Sequence, residues 1–161
     1  MTPDEVRAIL AELAARFGED LNVLWSNASG MSSEEFRALI AEAYPELVLP
    51  YSALASEVGA QWYDSTPSDT AGYVVQLADL PTAERLNSSA VWALNNGSGE
   101  GAISLLHGAG ERAIFDGLRD TIDLNVESEP GALWARHASA NACSFCRIMA
   151  TRGAVYRSAE S

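Results

Sequence analysis

The stretch "SSEEFRALIAEAYPELVLPYSALASEVGAQWYD", residues 32–64, sets the fold class. It opens with a helix signature. Ser32 can cap the helix, and Glu35, three residues on, can reach back to the cap N–H. Phe36, Leu39, Ile40 and Ala43 then recur at the spacing of one helix face. Pro45 has no N–H and disfavours helix in the residue before it, so it predicts a stop. From Pro50 the same period resumes through Tyr51, Leu54, Ala55, Val58 and Trp62. The stretch therefore predicts two amphipathic helices with a break between the prolines.

The pattern continues on both sides. Upstream, Thr2, Pro3 and Glu5 form a second capping box with proline in the first turn. Val6, Ile9, Leu10, Leu13 and Phe17 share one face, and Gly18 reads as the end of that helix. Downstream, "DSTPSDTAG" (64–72) is a loop and "YVVQL" (73–77) a short extended piece. A further helix follows Pro81 and Thr82, with Leu86, Ala90, Ala93 and Leu94 facing inward. After the turn "NNGSGEG" (95–101), a longer helix runs from about Gly101 to Leu124. Ile103, Leu106, Ile114, Leu118 and Ile122 are its core residues, and "SEPG" stops it. The C-terminal end predicts a short strand (Leu133 to His137), a turn, a helix (Cys143 to Arg152) and a second strand at "AVYR" (154–157). The expected fold is mostly α with a small α+β C-terminal end: a helical domain followed by strand–helix–strand. We read one domain over 1–161, with N-terminal helices in 1–97 and the long helix plus small C-terminal module in 98–161.

The chain has 161 residues and 48% hydrophobic residues, enough for a core. No apolar run reaches the roughly 18–20 residues of a membrane span. The acidic, helical N-terminus does not read as a signal peptide, and two cysteines do not make a disulfide framework. Reduced thiols in a cytoplasmic setting are the expectation. The formal net charge is −12, and every basic side chain is arginine. Without lysine there is no P-loop lysine, Schiff-base lysine or lysine general base. The acidic bulk also opposes strong direct DNA binding. Residues 1–110 carry 15 acids and 4 arginines, a charge of −11. Residues 131–161 carry four arginines and one acid, a charge of +3. The C-terminal segment is thus a basic patch on an acidic body, either plain solvated surface or a docking end for an acidic partner.

That basic segment, "WARHASANACSFCRIMATRGAVYRS" (134–158), also holds both cysteines. Cys143 and Cys146 form a C-x-x-C at a helix start, where the dipole lowers the first thiol's pKa. One reading is zinc. A tetrahedral site wants four ligands, and His137 and His107 would complete Cys143 and Cys146, although two of them must converge from separate elements. Another reading is dithiol redox chemistry, which normally sits in a βαβ frame absent here. The plain reading is a pair of small residues packed on the buried side of the terminal helix. His107, in "LLHGAGER", reads as a core or interface histidine. "HGAG" has no G-x-S-x-G nucleophile to serve, and "GSGEG" lacks the full phosphate-binding pattern. Carboxylate pairs such as Asp120 and Asp123 read as solvated charge. No nucleophile–base–orienter set can be assembled, so no enzyme is expected. Trp25, Trp62, Trp92 and Trp134 read as core anchors, with Trp134 beside arginines the candidate for an interface.

The segment "LWARHASANACSFCRIMATRGAVYRS" resembles the C-terminal end of Mu F-like minor capsid proteins of actinobacterial tailed phages. Two further segments are similar to that family in the same order. They are "YSALASEVGAQWYDSTP", a tyrosine and small-residue run leading to "WYD", and "GLRDTI" with its "RDT". The resemblance spans Tyr51–Asp64, Arg119–Thr121 and Trp134–Tyr156. It implies a head-morphogenesis protein of the virion, made in few copies, with more than one of them around the portal. Its partners would be the portal protein or the major capsid protein, and its role would extend to DNA packaging or ejection. The family is often fused to a capsid maturation protease that follows this region. The resemblance thus implies either a protein encoded alone or the piece left after processing. It brings no catalytic role for Cys143 and Cys146. The expected partner-binding residues are Trp134, Arg136, Arg147, Arg152, Tyr156 and Arg157. The alternative is a small zinc-binding or thiol-active protein using the C-x-x-C.

Overall fold

A computed structural model of the chain describes residues 1–66, 70, 72–133, 135, 137–138 and 142–153. Five helices follow one another: α1 (Pro3–Ala28), α2 (Ser33–Asp64), α3 (Ala83–Asn96), α4 (Glu100–Ser128) and α5 (Ser144–Ala150). Both capping boxes form. The Glu5 carboxylate accepts the Thr2 N–H at 2.7 Å while the Glu5 N–H donates to the Thr2 hydroxyl at 3.2 Å. Ser32 and Glu35 repeat the exchange at 3.1 and 3.3 Å. The donors lower both carboxyl pKa values, chiefly the Thr2 N–H for Glu5 and the Ser32 hydroxyl for Glu35.

The expected break between Pro45 and Pro50 is absent, and α2 is one helix with both prolines inside it. Each proline should orphan the carbonyl four residues earlier. For Pro45 that is the Ala41 carbonyl, and Asn87 Nδ2 of α3 donates to it at 2.7 Å. For Pro50 it is the carbonyl of Glu46, an exposed residue that water can serve. The fold thus supplies across a helix interface one of the two bonds that local rules count as lost.

α1 likewise continues past Gly18 for ten more residues, to Ala28. Gly18 is needed for close approach rather than termination. A Cβ there would lie 2.7 Å from His107 Cε1 of α4. The contact is reciprocal, because Phe17 of α1 sits over Gly110 of α4. The Phe17 and His107 rings meet edge to face at 6.1 Å. α2 and α4 are held close in the same way, with Gly59 against the Leu118 backbone and Gly117 against the Ser52 carbonyl. The Ser56 hydroxyl donates to the Gly117 carbonyl at 3.1 Å.

α4 packs on α1, α2 and α3. The core between them contains Phe17, Leu21, Ile40, Tyr44, Val48, Leu106 and Ile114, all fully buried. Each such side chain contributes roughly 1.5–3 kcal/mol relative to exposure. Tyr44 keeps its hydroxyl satisfied by donating to the Leu106 carbonyl at 2.7 Å. Burial raises its pKa far above the ordinary phenol range.

The linker from α2 to α3 is tied to α4 by side chains. Asn125 donates to the Gln76 carbonyl and accepts the Gln76 N–H, both at 2.8 Å. Tyr73 also donates to Asn125 Oδ1 at 2.8 Å, and Thr121 accepts from Ala78 N at 3.3 Å. The "RDT" threonine is therefore a buried clasp for the linker.

The α+β end is not found. Leu133, Ala135 and His137 lie in no strand, and no strand occurs among the described residues. A strand needs a ladder partner, and among the described residues none is placed beside this segment. The second expected strand, 154–157, lies outside the described residues. The terminal helix does form, capped by Cys143. Its cysteines do not pack inward as the plain reading expected: both thiols are exposed.

Candidate functional site

α4 carries apolar residues over a wider arc than the core uses. Ile114 is fully buried, yet its neighbour Phe115 is 37% exposed and points elsewhere. About 100° of rotation separates adjacent helical residues, so the two cannot share a face. Phe115, Leu118 and Ile122 form a second ridge on α4, and Pro3, Val6 and Leu10 form one on α1. Between them lies a cleft of about 1270 Å³, lined also by Trp62 of α2. On its far side stand Ala135, His137 and, from α5, Phe145, Cys146 and Met149. α5 does not pack on α1–α4. Phe145 and Ile148 are consequently 66% and 61% exposed. Exposed large apolar side chains beside an apolar cleft mark an interaction surface.

Charge around the cleft is mixed but favours the positive. Arg7 and Arg119 line its walls against Asp123. Arg7 pairs with Asp4 at 3.0 Å and Arg119 with Asp116 at 2.8 Å. Burial and the neighbouring Asp120 raise the Asp123 carboxyl above its ordinary value. Arg147 and Arg152 are exposed on and just after α5. Trp134, Arg136, Tyr156 and Arg157, the other expected partner-binding residues, lie outside the described residues.

The expected zinc ligands are spread. His137 and Cys146 line the cleft. Cys143 caps α5, where its sulfur accepts the Cys146 N–H at 3.5 Å. His107 is at the α1–α4 crossing over Gly18. It lies eight residues before Phe115, about 12 Å along the helix. Among the described residues no group of three or more His, Cys, Asp or Glu is arranged to hold a metal ion. Cys143 is an exposed thiol whose pKa is lowered, first by that Cys146 backbone donor.

Sequence reasoning placed Val6, Leu10, Leu118 and Ile122 in the core. Val6 is indeed buried, and Leu10 and Leu118 pack against the core with their outer edges lining the cleft, whereas Phe115 and Arg7 were passed over. The available signal was the breadth of the apolar arc on α1 and α4, which exceeds one stripe. The three segments quoted for the Mu F-like resemblance also meet here. Trp62 comes from "WYD", Arg119 from "RDT", and Ala135, His137, Phe145, Cys146 and Met149 from the terminal segment.

Among the described residues no helix is long and apolar enough to cross a membrane. No curated protein and no solved structure matches the chain. A family described as VG15 protein matches residues 2–161. The chain therefore belongs to the VG15 protein family, a viral gene protein family, and is a phage-type protein.

Proposed function

We propose that the chain is a Mu F-like minor capsid protein that acts in head morphogenesis and not as an enzyme. It attaches to the portal or the inner capsid shell while the head assembles, and more than one copy surrounds the portal. The observation that supports this reading is the cleft itself. Three sequence segments far apart in the chain, each similar to the Mu F-like family, contribute to the lining of one largely apolar surface cleft. Such a surface on a phage-type protein fits a docking role better than a reaction site. It carries an arginine-flanked α5 whose Phe145 and Ile148 are left for a partner to cover. The acidic body, at −11 over residues 1–110, would avoid packaged DNA.

Cryo-EM of purified particles without imposed symmetry tests the proposal. Density for the four long helices at the portal vertex or against the inner shell is expected. Particles that lack the protein would overturn it.

A second reading, a thiol-active protein, is favoured by one observation: the exposed Cys143 thiol accepting an N–H at the start of a C-x-x-C helix. Titration of the two thiols decides this reading, and turnover of a disulfide substrate by the purified chain would replace the docking reading.

A further inference from the structure

We propose that the cleft beside α5 is a receptor groove for an acidic amphipathic helix of a partner protein. This rests on the docking reading and adds what docks there. Both walls are ridges at helical spacing. Pro3, Val6 and Leu10 stand at i, i+3 and i+7 on α1, and Phe115, Leu118 and Ile122 repeat that spacing on α4. Each ridge spans two turns, about 10 Å. A groove between two such ridges is filled by the i, i+3, i+4 and i+7 side chains of a third helix. None of this chain's own helices lies in it. α5 borders the cleft without packing on either wall, and about 1270 Å³ stays open.

The sign of the charge selects the partner. Arg7 and Arg119 flank the groove, with Asp123 the opposing charge on its walls. Their ion pairs with Asp4 and Asp116 are surface pairs, worth little and readily exchanged for a partner's carboxylates. Asp116 itself faces a different groove, between α3 and α4. Arg147 and Arg152 are exposed on and just after α5, the helix that borders the cleft. The rest of the surface is acidic and would repel an acidic helix, so this end is where such a helix is drawn. A basic helix would be attracted everywhere except here. A second copy of a chain with net charge −12 would meet repulsion over most of its surface, so the occupant is another protein.

Fluorescence anisotropy of the full chain with two labelled synthetic peptides tests the groove. Both peptides are about 14 residues, four turns, with leucine at helical spacing. One carries glutamate on the polar face and the other lysine. The glutamate peptide is expected to bind about tenfold or more tightly than the lysine peptide at low salt, with the gap closing at high salt. Arg7→Glu with Arg119→Glu should invert the preference. Phe115→Glu should abolish binding, while Leu54→Glu, on an exposed position between α1 and α2, should leave it intact. The double arginine variant keeps the test decisive should Phe115→Glu fail to fold. Binding of neither peptide, or equal or tighter binding of the lysine peptide, would overturn the inference. Self-association of the unmixed protein that Phe115→Glu removes would also overturn it, by giving the groove to a second copy. Failure of the two readings is separable. Heads that need Arg147 and Arg152, with no peptide binding, would sink the groove and leave docking. Peptide binding with heads indifferent to those arginines would do the reverse.

Discussion

Two glycines of α4 should respond oppositely to the same substitution. Gly117 faces α2, where a Cβ would stand 2.6 Å from the Ser52 carbonyl oxygen and 3.1 Å from Ser56 Oγ. Ordinary contact begins at 3.4 Å, so Gly117→Ala must move α2 and α4 apart locally by up to 0.8 Å. The obstacle is backbone and cannot rotate away. Overpacking of this kind costs about 1–3 kcal/mol. The Ser56 to Gly117 hydrogen bond, 3.1 Å long, adds about 0.5–1.5 kcal/mol if broken. Alanine's helix propensity returns about 1 kcal/mol. The net expectation is a loss of about 1–3 kcal/mol, or several degrees at about 2–4 °C per kcal/mol for a chain of this size. Gly108 has nothing within 4 Å of the same atom and is exposed. Gly108→Ala should therefore gain up to about 1 kcal/mol from propensity alone. Urea unfolding followed by far-UV circular dichroism measures both. A Gly117→Ala protein as stable as the unsubstituted chain, or a Gly108→Ala protein destabilised to a similar degree, would refute the close α2–α4 crossing.

Three further outcomes are expected. Asn87→Ala should cost about 1–2 kcal/mol in urea unfolding, because it strands the Ala41 carbonyl that Pro45 leaves open. Adding Pro45→Ala should recover part of that loss by restoring a backbone N–H; equal losses in the single and double variants would contradict this account. Asp123 titrates above its ordinary 3.8 in the folded chain, so its charge opposes folding above that raised value. Asp123→Asn should then raise the melting temperature near neutral pH, with the gain fading as pH falls through the raised folded value and gone below 3.8, where folded and unfolded carboxyls are both protonated; a gain independent of pH would speak against it. Finally, Cys143 should alkylate faster than Cys146 at pH below the ordinary thiol range, as read by mass spectrometry of partially labelled protein. Equal rates would mean that the Cys146 N–H does not favour the Cys143 thiolate.

The helix starts were legible because a capping box is a local device: Thr2 with Glu5 and Ser32 with Glu35 need nothing beyond four residues. The interior of α2 was not legible, because the group that rescues Pro45 is Asn87, 42 positions further on. Gly18 misled for a related reason. In sequence a glycine after an apolar face reads as a helix end, whereas here it clears space for His107. The face of α2 that meets α4 is Ser52, Ala55, Ser56 and Gly59, all buried. Reading by apolar spacing found Ala55 but passed over Ser52, Ser56 and Gly59, and added Leu54, which is 47% exposed. Close helix approach selects small side chains, and hydrophobic spacing does not register them. The expectation of a strand at Leu133–His137 failed because pairing, not a single segment, makes a strand; Leu133, Ala135 and His137 lie in none, and the second expected strand at 154–157 lies outside the described residues. The docking end was visible as charge at +3 over 131–161. The cleft was not, because it joins residues from four helices.

The most direct test of the central claim reverses charge at the exposed end. Heads assembled with Arg147→Glu and Arg152→Glu are compared with unsubstituted heads by quantitative mass spectrometry of purified particles. The account expects the doubly substituted chain to fold, as judged by circular dichroism, and to be lost from the heads. Normal amounts of it in those particles would contradict attachment through α5.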